Sequence, residues 1–299
     1  MLTAIPLHPL FGAGIAGVDL RQPLSDASFA HIRDAFERHA LVILHGQQID
    51  DAQQIAFSRR FGTLEKTRVG AQGHGSEVVI LTNIGADGNV VEPSHRQWLN
   101  TRANQLWHSD SSFKPVPAQA SLLSGRIVPA KGGETEFINL RAVWRALPAE
   151  LQRAAEGKIA IHDFSLSRAQ VDARVVTPEE RAVVPPVRQP LVRVSDQGEK
   201  SIYIGSHVSG IEGMAQVDAR ALLDQLLAFA TQPQFIHTHV WQAHDLVIWD
   251  NRCMLHRGRP FEPSLPRYLV RTTVAGAGPL MEQTAVNDAA RDARELVMQ

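Results

Sequence analysis

Apolar positions recur at helical spacing across residues 25–39, where Phe29, Ile32 and Phe36 share one side behind Ser25, a residue suited to capping a helix N-terminus. The run that follows, Ala40-Leu41-Val42-Ile43-Leu44, is too short for an independent helix and predicts a buried strand. Further helices are expected over 51–60, stopping at Gly62, from about Asn139 with a break or restart at Pro148, and over 218–230. In the last of these, Leu222, Leu223, Leu226 and Leu227 form the stripe to be buried. Strand candidates lie at 78–81, 120–123, 135–138, 202–204, 246–249 and 268–274. Their mixture with helices, joined by Gly- and Pro-rich connections, predicts an α+β chain: a β-sandwich or jelly roll with flanking helices, not a regular βαβ array.

Two polar connections, 65–76 and 85–102, exceed ordinary loop lengths and are expected either as active-site loops or as surface decoration or disorder. The polar, helix-prone tail from about 278 to 299 reads as an oligomer contact or a frayed end, and a homo-oligomer is expected. At 299 residues, one elaborated domain spanning 1–299 is the leading expectation. Composition then narrows the function. With 30 basic and 31 acidic residues there is no global field to attract nucleic acid or an anionic membrane, so an anionic partner must meet locally placed charge. The single cysteine, Cys253, excludes an internal disulfide and a multi-cysteine metal site and fits a reducing compartment. No apolar run reaches membrane-spanning length and the first residues lack a signal-peptide pattern, so a cytoplasmic protein is expected.

The most informative segment is Asn104-Gln105-Leu106-Trp107-His108-Ser109-Asp110-Ser111-Ser112-Phe113. On a strand, His108 and Asp110 share a face and can direct an imidazole and a carboxylate at one ion. Two histidines and a carboxylate on one face of an octahedral metal leave three open positions, the arrangement of non-haem Fe(II) oxygenases. A His-x-Asp pair alone is equally well a structural hydrogen bond. The late segment Trp249-Asp250-Asn251-Arg252-Cys253-Met254-Leu255-His256-Arg257-Gly258-Arg259 supplies a second histidine, followed by Arg267 and Arg271 at equal strand parity, about 13 Å apart along a strand.

These segments, with Gly132-Gly133-Glu134-Thr135-Glu136-Phe137, closely resemble the taurine dioxygenase / 2,4-dichlorophenoxyacetate dioxygenase family of Fe(II)/2-oxoglutarate enzymes, nearest its phenoxyacetate branch. The resemblance runs from Leu7 to about Thr273 and implies a double-stranded β-helix (jelly roll) core. It implies His108, Asp110 and His256 as iron ligands, and Thr135 and Arg267 as the groups holding the distal carboxylate of 2-oxoglutarate, with Arg271 counted beside them as a co-substrate contact. An arginine fork and a hydroxyl donor suit that carboxylate chemically. Arg271 also matches an arginine beside the acidic group of the prime substrate, and Asn104 a polar residue of that pocket; His207 is a further pocket candidate, with a core histidine as its alternative. The implied reaction takes dioxygen and 2-oxoglutarate as co-substrates, releases succinate and CO2, and hydroxylates a small anionic organic acid such as an aryloxyacetate, with ether cleavage.

The first long loop departs from the basic-residue placement of phenoxyacid members, leaving Lys66, Arg68 or His74 as other anion contacts. Taurine, an alkylsulfonate or an alkyl sulfate therefore stays open as substrate. Trp107 and Trp249 are expected to wall the metal pocket. His237 and His239 form a rival metal pair without a carboxylate at suitable spacing. From other classes, a zinc hydrolase would use a similar ligand set but lacks a His-Glu-x-x-His motif, and a non-catalytic jelly-roll binding protein would leave the iron and co-substrate residues coincidental.

Overall fold

An antiparallel hairpin, β1 (Thr3–Pro6) with β2 (Ala13–Ala16), leads into helix α1 (Asp26–His39). The Ser25 hydroxyl accepts the Ser28 amide to start α1, and the helix ends at Ala40, held at φ 60 with its amide on the Phe36 carbonyl. All four residues of β3 (Leu41–Leu44) are buried, as the unbroken apolar run requires. Helix α2 (Asp51–Arg59) begins with a reciprocal capping box between Asp50 and Gln53. The computed structural model describes residues 2–67, 72–93, 95–172 and 184–282.

In chain order the next elements are β4 (Val78–Thr82), α3 (Arg96–Ala103), β5 (Ala118–Ile127), β6 (Thr135–Asn139), α4 (Leu140–Ala146), α5 (Ala149–Ala155), β7 (Ile159–His162) and α6 (Phe164–Ala169). The strands β8 (Val187–Pro190), β9 (Val192–Val194), β10 (Lys200–Ile202) and β11 (Val208–Ile211) precede the long helix Gln216–Ala230. Last come β12 (Ile236–His239), β13 (Leu246–Asp250), β14 (Met254–Gly258) and β15 (Tyr268–Ala275). A seven-stranded sheet runs β1-β2-β3-β13-β5-β15-β4, and a three-stranded sheet runs β12-β6-β14. Two small sheets, β11-β7-β8 and β10-β9, complete the β structure of this α+β fold among the described residues.

Strand alternation distributes the core over these layers. Leu41, Ile43, Leu123, Val247, Trp249 and Leu269 of the large sheet pack with Phe137 and Met254 of the three-stranded sheet. The alternate residues Val42, Leu44, Leu122 and Ile248 pack with Phe29, Ile32 and Phe36 of α1 and Phe57 of α2. Ile138 and Leu255, next in sequence to inward residues, meet Leu222, Leu223 and Leu226 of the long helix. Each such side chain contributes roughly 1.5–3 kcal/mol when fully buried. Gln54 pins α2 to the sheet by donating to the Val270 carbonyl (2.9 Å) and the Leu122 carbonyl (3.2 Å).

Two expectations need correction. The strand expected at 202–204 lies at Lys200–Ile202, because the Tyr203 amide turns to the Leu191 carbonyl (2.7 Å) and Gly205 takes φ 129. The connection 85–102 contains α3, capped by the His95 side chain. Trp98 and Ala103 are its buried apolar residues, too few to write an amphipathic stripe. In the first connection, residues 68–71 fall outside the described residues, as does the tail beyond 282. Among the described residues, no helix is long and apolar enough to cross a membrane.

Candidate metal centre and its two cavities

His108 and His256 are joined by an isolated antiparallel bridge in which each amide donates to the other's carbonyl, at 3.0 and 2.9 Å. Residues opposed in this way project side by side, and the two ring centroids lie 4.2 Å apart. The regular strand expected through His108 and Asp110 is absent: pairing stops at the bridge, and the chain turns at Ser111, held at φ 53, with the Lys114 amide on the Ser111 carbonyl (3.0 Å). Asp110 nevertheless reaches the same space. His108, Asp110 and His256 each offer one ligand atom, all within 4.8 Å of one another, and all three are buried.

The donor set fits a divalent ion. Asp110 Oδ1 is 4.0 Å from His108 Nε2, and Asp110 Oδ2 is 3.8 Å from His256 Nε2. Both separations are too long for hydrogen bonds, so the three groups converge on a common space without satisfying one another. His108 Nδ1 lies 2.7 Å from the Leu106 carbonyl, which can only accept; the proton therefore sits on Nδ1 and the Nε2 lone pair faces the centre. His256 is held by packing, its ring 4.6 Å from Trp249 and stacked with Phe137. Burial pushes both imidazoles below their ordinary pKa, so both are neutral at pH 7, the form a metal ion requires.

Burial would raise the Asp110 carboxyl, but the Arg271 guanidinium, then His256 and His108, and the Ser121 hydroxyl outweigh it and hold the group below the usual carboxylate range. Arg271 Nη1 donates to Asp110 Oδ1, and Ser121 Oγ donates to Oδ2 at 2.7 Å. Asn251 completes the frame. Its Nδ2 donates to Ser121 Oγ (2.9 Å), while its Oδ1 accepts from the Asp110 amide (3.2 Å) and from Trp249 Nε1 (3.0 Å). Sequence reasoning missed Ser121 and Asn251 as supports; Asn251 stood inside a quoted motif, whereas Ser121 carried no signal beyond a polar residue in an apolar strand.

Gly205 presses on the back of this centre. A Cβ there would lie 3.0 Å from the Trp107 carbonyl and 3.3 Å from His108 Cα, in a backbone conformation that disfavours side chains. Gly205→Ala is expected to destabilise the protein by about 1–2 kcal/mol and to weaken metal binding, read by thermal unfolding with and without divalent ion.

Two cavities meet at the triad. The smaller, about 50 Å³, is lined by Thr135, Trp249, His256, Arg267 and Arg271. Arg267 precedes β15 and the register shifts between Tyr268 and Leu269, yet both arginines still face this space. Arg267 Nε is buried without a hydrogen-bond partner, and Nη2 has only the Gly133 carbonyl at 3.4 Å. Burial lowers the guanidinium to about 10, still cationic at neutral pH. Among the described residues no carboxylate pairs with it. Thr135 Oγ1 accepts from Trp241 Nε1 at 3.0 Å.

The larger cavity, about 470 Å³, is lined by His108, Asp110 and Arg271 among others. Asn104 lines both cavities, with its Oδ1 accepting from Arg168 Nη1 at 3.3 Å. His207 lines the larger one with its ring 4.9 Å from Phe113 and 5.9 Å from His108, and burial holds it well below its ordinary pKa. Parts of both long connections, including Lys66, Val91 and Gln97, form the outer wall. Of the other proposed anion contacts, His74 does not line this cavity and Arg68 falls outside the described residues. Trp249 walls the smaller cavity, but Trp107 sits in the core cluster behind the triad under Arg257. The rival His239 is claimed by Asp245, whose carboxylate lies 3.1 Å from His239 and 2.6 Å from His45. Cys253 is buried and its thiol is pushed well above the ordinary range, an inert core group.

A buried two-histidine, one-aspartate centre walled by a large and a small sheet defines a metal-dependent oxygenase class, and comparison with known proteins agrees. The family model described as "Taurine catabolism dioxygenase TauD, TfdA family" matches residues 3–273, and the chain belongs to that family of dioxygenases. It is 41% identical over 278 residues to the alpha-ketoglutarate-dependent 2,4-dichlorophenoxyacetate dioxygenase of Cupriavidus pinatubonensis, covering 91% of this chain and 97% of that one. The (S)-phenoxypropionate/alpha-ketoglutarate-dioxygenase of Delftia acidovorans is 35% identical, with 92% and 95% covered. Among solved structures, AAD-2 in complex with Mn(II) and N-oxalylglycine superposes with a TM-score of 0.87 at 38% identity, covering 95% of this chain and 100% of that one.

Proposed function

We propose that this chain is an Fe(II)- and 2-oxoglutarate-dependent dioxygenase that hydroxylates a small aryloxy acid of the 2,4-dichlorophenoxyacetate class, releasing succinate and CO2. The observation that carries the co-substrate assignment is Arg267: a desolvated guanidinium with no carboxylate partner among the described residues, in a small cavity also lined by His108 and His256 of the triad. Such a charge is unfavourable unless an anion completes it. With Fe(II) held by His108, Asp110 and His256, the metal supplies dioxygen activation coupled to loss of CO2 from the 2-oxo acid.

The chain's own residues bind and orient. Arg267 and Thr135 take the distal carboxylate, so the 2-oxo acid end points toward the triad. Arg271 and Ser121 fix the Asp110 carboxylate, which keeps further lone pairs for the ion. The larger cavity combines apolar walls, Val79, Leu81, Phe113 and Phe164, with the cations Lys66 and Arg168, a lining suited to an arene bearing a carboxylate. Asn104 and His207 are read as polar positions of that substrate pocket. Hydroxylation of a carbon bearing an ether oxygen gives a hemiacetal, which breaks to a phenol and an oxo acid. We also read the large sheet facing β12-β6-β14 as the two walls of a double-stranded β-helix, consistent with their shared core.

The reading is tested by succinate formation and oxygen uptake with aryloxyacetates, both hands of aryloxypropionates, taurine and alkyl sulfates. Phenol release from an aryloxyacetate is the expected outcome. Failure of every aryloxy acid beside efficient turnover of taurine or a sulfate ester would overturn the substrate class and leave the co-substrate assignment standing.

A further inference from the structure

We infer that Trp241 is a positioning residue for the co-substrate: its indole N–H fills an acceptor site of the Thr135 hydroxyl and so obliges that hydroxyl to donate its one hydrogen into the smaller cavity. The inference rests on the reading that Thr135 holds the distal carboxylate of 2-oxoglutarate. An indole nitrogen only donates, whereas a threonine hydroxyl has one hydrogen and two acceptor sites. Trp241 Nε1 lies 3.0 Å from Thr135 Oγ1, so the direction of this bond is settled by the chemistry of the pair. Among the described residues no protein acceptor takes the Thr135 hydrogen. The side chain lines the cavity that contains Arg267, and a carboxylate seated there would meet a donor from each.

The position of the indole is built from several directions. Strand β12 pairs with β6 in a register that sets His239 opposite Thr135, and the chain leaving β12 brings Trp241 back over the same residue. The indole packs edge-on against His239, with ring centroids 4.7 Å apart. It lies over Gly125 of β5, where a Cβ would come within 2.9 Å of the ring, so the glycine makes room for it. Backbone bonds from His244 to the Gly125 carbonyl (2.7 Å) and from Gly125 to the Asp245 carbonyl (2.9 Å) tie the connection after β12 to that strand. Asp245 also accepts the Gln242 amide at 2.9 Å. The donor is thus held by groups that do not themselves line the cavity.

The test replaces the donor and keeps the shape. Trp241 is exchanged for benzothienylalanine, which has sulfur in place of the indole N–H, and in parallel for phenylalanine. Binding of 2-oxoglutarate to the Fe(II)-loaded protein is followed by anaerobic calorimetry, beside 2-oxobutyrate, which lacks the distal carboxylate. Loss of one aligned hydrogen bond corresponds to roughly a fivefold rise in Kd for 2-oxoglutarate, with 2-oxobutyrate unchanged. In a Thr135→Val background the same exchange has no further effect, because the two residues act as one unit. An equal rise for both ligands, an effect that persists in Thr135→Val, or no effect of the isosteric exchange overturns the inference while leaving the Thr135 assignment intact. If Thr135→Val itself leaves 2-oxoglutarate binding unchanged, the underlying reading falls and the role of Trp241 falls with it.

Discussion

His256→Ala abolishes turnover and lowers Fe(II) affinity by more than about 100-fold, beyond the 10–100-fold that follows from disturbing a group merely supporting a ligand. The size follows from the centre's economy of donors: His108, Asp110 and His256 are the one triad available among the described residues. The imidazole is neutral, so its removal leaves no unpaired charge and mainly opens a void between Trp249 and Phe137. The metal-free variant should therefore fold, losing about 1–3 kcal/mol of stability to the cavity. Asp110→Ala is the less informative change, since it strands Arg271 Nη1 in the interior and mixes loss of metal with an uncompensated cation. Metal content by atomic absorption, alongside thermal unfolding of the metal-free proteins, separates the two effects.

Arg267→Leu is expected to raise the Kd for 2-oxoglutarate about 100-fold and, at the same time, to raise the melting temperature of the ligand-free protein. The opposite signs come from one cause. The guanidinium is desolvated, lowered to about 10, and has no carboxylate partner among the described residues. An apolar side chain relieves that penalty in the empty protein but removes the charge-assisted bonds to the distal carboxylate, each about 1.5–3 kcal/mol. Calorimetric titration and differential scanning calorimetry read the two halves. An arginine serving only as a structural tie would lose stability on replacement, and the affinity for 2-oxoglutarate would not change.

Local features were the most legible in the sequence. The Ser25 cap, the 29/32/36 stripe and the unbroken run after it locate α1 and β3 nearly to the residue, because capping chemistry and helical period act within a few positions. The His108/Asp110 pair was recovered by a strand parity that the backbone does not follow; a single bridge and a turn at Ser111 achieve the same convergence. Helix α3 was hidden because it buries too little apolar surface to leave a periodic trace. The supports of the site were hidden for a different reason. Ser121 and Asn251 meet across 130 residues, and Thr135 and Trp241 across 106, so their partnership exists only once the sheets have paired. The convergence of Thr135 and Arg267 likewise came from resemblance to a family, since neither residue's neighbours in sequence announce it.

The proposed function requires one coupling: iron held by the triad, with the 2-oxo acid seated against it in the adjoining Arg267 cavity. Anaerobic addition of 2-oxoglutarate to the Fe(II)-loaded protein, followed in the visible spectrum, tests both at once. A weak charge-transfer band should appear with the wild-type chain, be absent in His256→Ala, and require far higher 2-oxoglutarate in Arg267→Leu. No band with the wild-type protein, or a band of unchanged strength in His256→Ala, would contradict the assignment of the centre.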